Sequence, residues 1–258
     1  MKIAVITGEE SGDKLAASAI KELKLQYKES IYLFGIGGNA LKKQGIDNLF
    51  DISEINVMGL IEVLPKVIKI NKIINKTVDK IIEMNPDIIF TVDSPDFTLR
   101  VARRIKSKKK ELKIIHYVAP SVWAWRPGRI KTVKKSVDHL LTILPFEKKI
   151  FDSHNITTTF VGHPITEVDL SEYENDKINK PDSLQKEIFL VMPGSRRKEI
   201  EMLLPIYLSA VDEMNLKDRF QLVVPTTKNM TKLVKTIIEN YSSNIPIAVI
   251  DDEKEKYS

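Results

Sequence analysis

Short apolar runs alternate along this chain with longer segments in which apolar residues recur every three or four positions. The first run, residues 2–7, is apolar enough for a strand buried on both faces, and residues 14–26 have helical spacing. The alternation predicts further strands at residues 31–36, 87–92, 113–118, 138–144 and 158–161. Strands separated by helix-length segments pair in parallel through right-handed crossovers. The pattern therefore predicts an α/β fold built on a parallel sheet.

This pattern stops after Gly162-His163-Pro164 and resumes near residue 188, with strands predicted at residues 188–192, 220–224 and 247–250. Residues 165–187 are polar and predict a linker. We therefore predict one complete Rossmann-like domain at residues 1–164 and an incomplete second Rossmann-like domain at residues 188–258. Three strands are few for an independent doubly wound domain, so we expect a further segment to be missing.

The longest predicted helix runs from about residue 65 to residue 85. Its apolar positions step by three or four, and lysines follow the same steps on the opposite side, at Lys69, Lys72, Lys76 and Lys80. Together with the apolar run before it, the segment at residues 56–80 has two interpretations. It is a membrane-surface element, or it is a core helix with a solvated lysine face.

Composition narrows the class of protein. The 258 residues suit two domains, 43% of them are hydrophobic, and the absence of cysteine excludes disulfides and thiolate metal sites. Acidic residues follow the first strand before the apolar region of a signal peptide could be complete. No apolar run reaches the ~20 residues that a transmembrane helix needs. The net charge of +5 comes without a recognised nucleic-acid module, so nucleic-acid binding is not expected. No cluster has metal-ligand spacing, and neither a metal nor another cofactor is expected.

The candidate catalytic and binding residues lie where predicted strands end, which is where open α/β sheets bind ligands. The stretch at residues 113–129 ends its strand at Pro120 and then carries Trp123, Trp125 and Arg126. Such a loop either binds substrate or covers a sheet edge. His116, inside that strand, is either a hydrogen-bonded core residue or a ligand contact.

Two other strand ends in the first domain carry carboxylates. Glu9, Ser11 and Asp13 follow the first strand, and Ser11 or Asp13 could simply cap the next helix. Asp93 directly follows the strand at residues 87–92, where a carboxylate can accept a proton from a substrate hydroxyl. We treat Glu9 and Asp93 as catalytic candidates, and Ser11 and Asp13 as substrate-binding candidates.

The second domain offers one candidate, the turn PGSRRK that begins at Pro193. It joins a strand to a helix N-terminus, where backbone N–H groups and guanidinium groups favour phosphate. Ser195 and Arg196 are the expected contacts, and the alternative is a solvated cluster of charge.

Taken together, these motifs resemble the lipid-A-disaccharide synthase family of inverting glycosyltransferases, which have the two-Rossmann GT-B architecture. The resemblance covers nearly the whole chain and is most specific in HYVAPSVWAWR. It rests on GEESGD from Gly8, GIGG from Gly35, NVMGLIEVL from Asn56, DSPDF from Asp93, HYVAPSVWAWRPGRIK from His116, LPFEK from Leu144, FVGHP from Phe160 and MPGSRRKEIE from Met192.

The resemblance implies transfer of a diacylated glucosamine from a UDP-linked donor to a diacylglucosamine 1-phosphate acceptor, with release of UDP. It implies functional roles for Glu9, for Asp93 as general base, and for Arg196 at the donor phosphates. It also implies a cytoplasmic protein at the inner face of the cytoplasmic membrane, and a homodimer is an open expectation. The family's later UDP-binding turn and helices do not match anything in this chain, so we expect a truncated protein.

Two alternatives to the transferase stay open. One is a catalytically inactive remnant that still binds acylated sugar. The other is a UDP-sugar epimerase or hydrolase of similar fold, which the tryptophan loop argues against.

Overall fold

The structure, a computed structural model, describes residues 1–27, 30–50, 63–167, 187–214, 219–241 and 246–251, with only the backbone described over residues 63–69. The chain forms two compact units, Met1–Glu167 and Val168–Ser258. Within the described residues, no helix combines the length and the apolar character that crossing a bilayer requires.

The first unit is built on a seven-stranded parallel sheet in the order β3-β2-β1-β4-β5-β6-β7. The strands are β1 (Lys2–Thr7), β2 (Tyr32–Ile36), β3 (Asp47–Asn48), β4 (Ile88–Val92), β5 (Lys113–Tyr117), β6 (His139–Thr142) and β7 (Thr158–Phe160). The helices are α1 (Glu10–Gln26), α2 (Asn39–Lys43), α3 (Val63–Met84), α4 (Pro95–Lys108), α5 (Arg129–Ser136) and α6 (Pro145–Asp152).

The inner strand β1 shows why residues 3–6 are all apolar. Ala4 and Ile6 pack into the core on the face covered by α3, α4 and α5, while Ile3 and Val5 pack into the core on the α1 and α2 face. Because both faces are covered, every position of the strand must be apolar or hydrogen-bonded. Thr7, fully buried at the end of the strand, donates its hydroxyl to the carbonyl of Ile36.

The predicted long helix is present as α3. Ile74, Val78 and Ile81 are buried in the sheet core, and the opposite face exposes lysines at Lys72, Lys76 and Lys80. Over its described side chains, the apolar face of α3 is therefore core surface. The preceding part of the predicted membrane segment, residues 56–62, lies outside the described residues.

Three elements differ from the sequence prediction. Helix α1 begins at Glu10 instead of residue 14, so Ser11 and Asp13 lie in its first helical turn. Helix α5 and the two-residue strand β3 were not predicted. The apolar spacing of Ile130 and Val133 was the available signal for α5, although six basic or polar residues in eight obscured it.

The second unit has three parallel strands in the order β10-β9-β8, namely β8 (Glu187–Leu190), β9 (Phe220–Pro225) and β10 (Ile247–Ile250), with helices α7 (Arg197–Glu213) and α8 (Thr231–Tyr241). Leu204, Leu222 and Val234 pack together in its core, so both helices cover one face of the sheet. On β8, Ile188 and Leu190 are 58% and 53% exposed.

Candidate functional site

The candidate site lies at the carboxyl edge of the seven-stranded sheet, where the segments after β1 and β4 touch. Two glycines permit this approach. A Cβ on Gly8 would lie 2.6 Å from Cβ of Ser94, and a Cβ on Gly12 would lie 3.2 Å from the carbonyl oxygen of Val92. Side chains at these two positions would push α1 away from the end of β4, so the glycines bring the two candidate carboxylate segments together.

Asp93 stands at the end of β4 and is held by its backbone. Its N–H donates to the carbonyl of Tyr117 at 2.9 Å, and its own carbonyl accepts the Thr98 hydroxyl at 2.7 Å. The half-buried side chain accepts a hydrogen bond from Ser11 Oγ at 3.3 Å. The backbone of Asp93 is thus fixed, while its carboxylate contacts Ser11 and is still accessible from solvent.

Backbone strain concentrates at this edge. Six non-glycine residues of the described chain have positive φ, and four of them lie here: Asp93, Ser94, Val118 and Arg126. Val118 at +72° is the most costly, because a β-branched residue rarely adopts a left-handed conformation. Strain of roughly 1–3 kcal/mol per residue is retained mainly where a fixed geometry is needed for function. The tryptophan loop begins and ends close to two of these residues.

The first turn of α1 carries Glu9 and Ser11 at the same edge. Glu9 occupies the N-cap position with an exposed side chain, and its carbonyl accepts the N–H of Asp13 at 3.0 Å. No side chain caps α1. The capping interpretation of Ser11 and Asp13 is therefore wrong for this helix. Ser11 instead reaches across to Asp93, because the helix begins early enough to place its hydroxyl beside β4.

Asp13 is directed to a different helix. It is 2% exposed, and its two carboxylate oxygens accept backbone N–H groups of Gly38 at 2.6 Å and Ala40 at 2.8 Å, with Leu41 at 3.3 Å. These groups form the start of α2, where a carboxylate satisfies unpaired N–H donors and complements the helix dipole. This geometry is that of a capping residue, and substrate contact by Asp13 stays a prediction.

His116 is fully buried under this edge. Its Nδ1 lies 2.8 Å from Thr91 Oγ1 on the neighbouring strand, while Nε2 has no hydrogen-bond partner among the described residues. Burial lowers the pKa of His116 to about 4, so the ring is neutral at pH 7. A neutral imidazole packed within the sheet matches the core interpretation, and its contact with substrate stays a prediction.

The tryptophan loop is exposed and held at its two ends. Trp123 is 48% exposed, stacks edge-on against Phe146 at 5.1 Å, and points Nε1 toward the buried Glu147 at 3.5 Å. Trp125 is 61% exposed, and the guanidinium of Arg126 lies over its ring at 4.7 Å. These exposed rings form a surface that an apolar or sugar-bearing ligand could contact, instead of a packed cover for the sheet.

Sequence reasoning missed the residues that hold this loop to α4. Asp96, in the first turn of α4, accepts hydrogen bonds from both Arg126 and Arg129. Asp96 therefore faces the loop and does not cap α4. The aspartate stands 30 and 33 positions before the arginines, and no local pattern links such distant residues.

In the second unit, the predicted phosphate turn precedes α7. Gly194 has φ of +106°, which favours glycine, and Ser195 and Arg196 are exposed. Glu199 receives the Arg196 N–H at 3.3 Å and its guanidinium at 3.2 Å. A carboxylate thus already occupies donors that a phosphate could use at this helix N-terminus. No group of three or more potential metal-binding side chains occurs among the residues the structure describes.

Comparison with solved structures identifies the fold. UDP-GlcNAc 2-epimerase from Neisseria meningitidis bound to UDP-GlcNAc matches with a TM-score of 0.66 at 15% identity, covering 100% of this chain and 74% of that one. The α,α-trehalose-phosphate synthase of Burkholderia vietnamiensis matches with a TM-score of 0.59 at 12% identity, over 100% and 75%. The predicted GT-B-like α/β fold class, with one full and one smaller parallel sheet, is confirmed.

Comparison of sequences identifies the family. A family model described as lipid-A-disaccharide synthetase matches residues 3–257. Lipid-A-disaccharide synthase of Alcanivorax borkumensis is 37% identical over 97% of this chain and 66% of its own length. That of Rickettsia bellii is 38% identical over 94% and 65%. This chain thus spans just under two thirds of the length of these relatives, and it belongs to the lipid-A-disaccharide synthase family.

Proposed function

We propose that this protein transfers a diacylated glucosamine from a UDP-linked donor to a diacylglucosamine 1-phosphate acceptor, forming the lipid A disaccharide and releasing UDP. The observation that carries the proposal is the family match over residues 3–257, joined to the arrangement of Asp93 and Ser11 at the sheet edge. The inactive remnant and the epimerase are the competing hypotheses, and the reaction product distinguishes them.

Asp93 is proposed as the general base. An inverting transfer needs a carboxylate that removes the proton of the acceptor hydroxyl as the sugar bond forms. The two backbone hydrogen bonds hold Asp93 at the end of β4, and Ser11 contacts its carboxylate. Glu9 is proposed to act at the same edge, where its exposed carboxylate can bind sugar hydroxyls. The exposed rings of Trp123 and Trp125 are proposed to contact the acylated acceptor.

Ser195 and Arg196 are proposed to bind the donor pyrophosphate. Their support is the N-terminus of the 17-residue helix α7, whose partial positive charge and exposed donors suit an anion. On this proposal the phosphate replaces Glu199 as the partner of the Arg196 guanidinium. The base and the donor-phosphate residues then belong to different units of the chain.

The proposal includes a peripheral position at the inner face of the cytoplasmic membrane. Both proposed substrates carry acyl chains, so they must be drawn from a bilayer. Homodimer formation stays a prediction, which light scattering of the purified protein tests.

The experiment is an assay of disaccharide formation from the two acylated sugars, run on the full product of the reading frame. Stoichiometric release of UDP with the disaccharide supports the proposal. Acylated-sugar binding without product would identify the inactive remnant, and altered UDP-sugar without an acceptor would identify an epimerase or hydrolase. Either result overturns the proposed reaction.

A further inference from the structure

A basic groove lies between α4 and α5, next to the loop that carries Trp123 and Trp125. It has a volume of about 230 Å³ and is lined by Pro95, Asp96, Leu99, Arg100, Arg103, Arg129 and Thr132. The α4 residues repeat at helical spacing, and Arg129 and Thr132 are one turn apart on α5. The groove is therefore made by facing stripes of two packed helices.

Charge in this groove is unbalanced. Three guanidinium groups, from Arg100, Arg103 and Arg129, line it with a single carboxylate, that of Asp96. Asp96 is already shared between Arg129 and Arg126, the latter at 3.4 Å. Arg100 and Arg103 have neither an ion pair nor a hydrogen-bond partner for their guanidinium groups in the part of the chain that the structure describes. Two arginines on adjacent turns of one helix repel each other unless an anion lies between them.

The ends of both helices add to this positive potential. Pro95 is the first residue of α4 and Arg129 is the first residue of α5, and both line the groove. The first N–H groups of α5 are bonded to the carbonyls of residues 126–128, so the helix starts contribute the partial positive charge of their dipoles, which favours anions. The hydroxyl of Thr132 supplies a further donor for an oxyanion.

Size and geometry select the kind of anion. A volume of 230 Å³ is smaller than the roughly 300–1,000 Å³ of sites for drug-sized ligands. It suits a single phosphate group with whatever part of its molecule extends into solvent. The planar fork of arginine matches phosphate oxygens with two parallel hydrogen bonds.

We propose that the groove between α4 and α5 is a phosphate-binding site, in which Arg100 and Arg103 grip a phosphate group and Thr132 donates to it. The phosphate belongs either to a soluble phosphate or to the headgroup of an anionic lipid. Neither Arg100 nor Arg103 has a role in the proposed transferase reaction, so the two proposals are tested by different variants.

The test compares two variants of equal net charge. The first variant, Arg100→Gln with Arg103→Gln, removes the two unpaired positive charges from the groove. Lys110→Gln with Lys134→Gln removes two exposed lysines outside the groove lining, one after α4 and one on α5. All four side chains are exposed, so both variants should fold, and matched circular dichroism and thermal unfolding verify this.

Two probes separate the phosphate sources. Inorganic phosphate is titrated at constant ionic strength, with chloride as the reference salt, while the amide signals of Arg100, Arg103 and Thr132 are followed by NMR. Vesicles of phosphatidylglycerol are compared with vesicles of phosphatidylcholine by flotation. We expect saturable shifts at the groove, or flotation specific to phosphatidylglycerol, weakened about tenfold in the groove variant after allowing for solvent screening, and unchanged in the lysine variant.

Each outcome of these experiments either supports the phosphate site or contradicts it. Groove-dependent binding of inorganic phosphate supports a soluble source, and groove-dependent binding of phosphatidylglycerol alone supports a lipid headgroup. If binding weakens equally in the two variants, it depends only on net charge, and the proposed site is wrong. Absence of binding to both probes would overturn it as well.

Discussion

At the scale of single residues, Asp93 combines a fixed backbone with an available side chain. Its main-chain groups bond to Tyr117 and Thr98, and its carboxylate accepts the Ser11 hydroxyl. An isosteric change should therefore leave the loop in place and alter only the chemistry of the side chain. This separation makes the proposed base accessible to a clean experiment.

We expect Asp93→Asn to lower turnover by about 10²–10⁴-fold, because an amide cannot accept the proton of the acceptor hydroxyl. Substrate binding should be retained, as measured by equilibrium titration beside the rate assay. Asp152→Asn is the matched control, since Asp152 pairs with Lys148 on the exposed side of α6. Near-normal turnover in folded Asp93→Asn would remove Asp93 from the catalytic role.

His116 has a consequence for stability instead of catalysis. Its pKa in the folded protein is lowered to about 4 by burial, against about 6.5 in an unfolded chain. The unfolded state therefore takes up a proton at a higher pH than the folded state does. The stabilisation from a neutral His116 is complete above pH 6.5 and is lost progressively as the pH falls toward 4.

We predict that His116→Gln flattens the dependence of the unfolding free energy on pH in that window. The protein should lose about 3 kcal/mol more than the variant between pH 7 and pH 4, which follows from the difference in pKa. Denaturant unfolding at several pH values measures this. His154→Gln, at an exposed position after α6, is the matched histidine substitution. Parallel curves for the protein and His116→Gln would contradict the prediction.

At the scale of elements, the N-terminus of α7 holds two arginines in different settings. Arg196 precedes the helix and pairs with Glu199, while Arg197 begins the helix and pairs with Glu201 at 3.0 Å. Both pairs are exposed and contribute little to stability. A functional difference between the two arginines would therefore come from ligand binding.

We expect Arg196→Ala to weaken UDP-sugar binding much more than acceptor binding, because it removes a charge-assisted contact to the donor phosphates. Isothermal titration with each substrate measures the two affinities. Arg197→Ala removes the same charge one residue away and should have the smaller effect. Equal losses for donor and acceptor in Arg196→Ala would show that the residue is structural.

Helix α3 has two different faces over its described side chains. One face packs into the sheet core, and the other exposes lysines. Its apolar side is committed to the sheet, so membrane contact through this helix would depend on the exposed Lys72, Lys76 and Lys80. The apolar contribution would have to come from residues 56–62, outside the described chain.

We predict that replacing Lys72, Lys76 and Lys80 by glutamine weakens flotation with anionic liposomes. Each lysine near the surface is worth about 1 kcal/mol at low salt, and the attraction is screened by added salt. The control is the same change at three other exposed lysines, Lys110, Lys134 and Lys135. Binding that is insensitive to salt and to the α3 changes would exclude a role for this lysine face.

At the scale of the whole molecule, the two units differ in how much apolar surface they bury. The first has a seven-stranded sheet with helices on both faces. The second has three strands and one core, and it leaves Ile188 and Leu190 of β8 more than half exposed. A small unit buries a smaller share of its surface and is correspondingly less stable.

We therefore predict that the second unit opens more easily than the first. Native-state hydrogen exchange should give lower protection for amides of β9 than for amides of β4, although both are central strands of their sheets. Because both strands have neighbours on both sides, a difference in their protection does not come from a position at the edge of a sheet. Equal protection of the two strands would show that the units unfold together.

The sequence by itself determined the order of strands and helices, because buried parallel strands require continuous apolar runs and helices require a repeat of three to four. It also predicted that Glu9, Ser11 and Asp93 stand at strand ends, and parallel strands bring those ends to one edge. Helix starts were less predictable: the turn signal of Gly8 and Gly12 concealed the early start of α1, whose close packing on β4 is a tertiary effect.

Only the tertiary structure decided which partner each polar side chain has. Asp13 binds the start of α2 about 25 residues away, Asp96 binds Arg126 and Arg129 across a loop, and Arg100 and Arg103 line a groove with α5. A carboxylate near a helix start has the same local pattern whether it caps its own helix or another. A helix-surface arginine likewise has the same spacing whether it faces solvent or a neighbouring helix, because periodicity defines the face of an element and packing defines what that face meets.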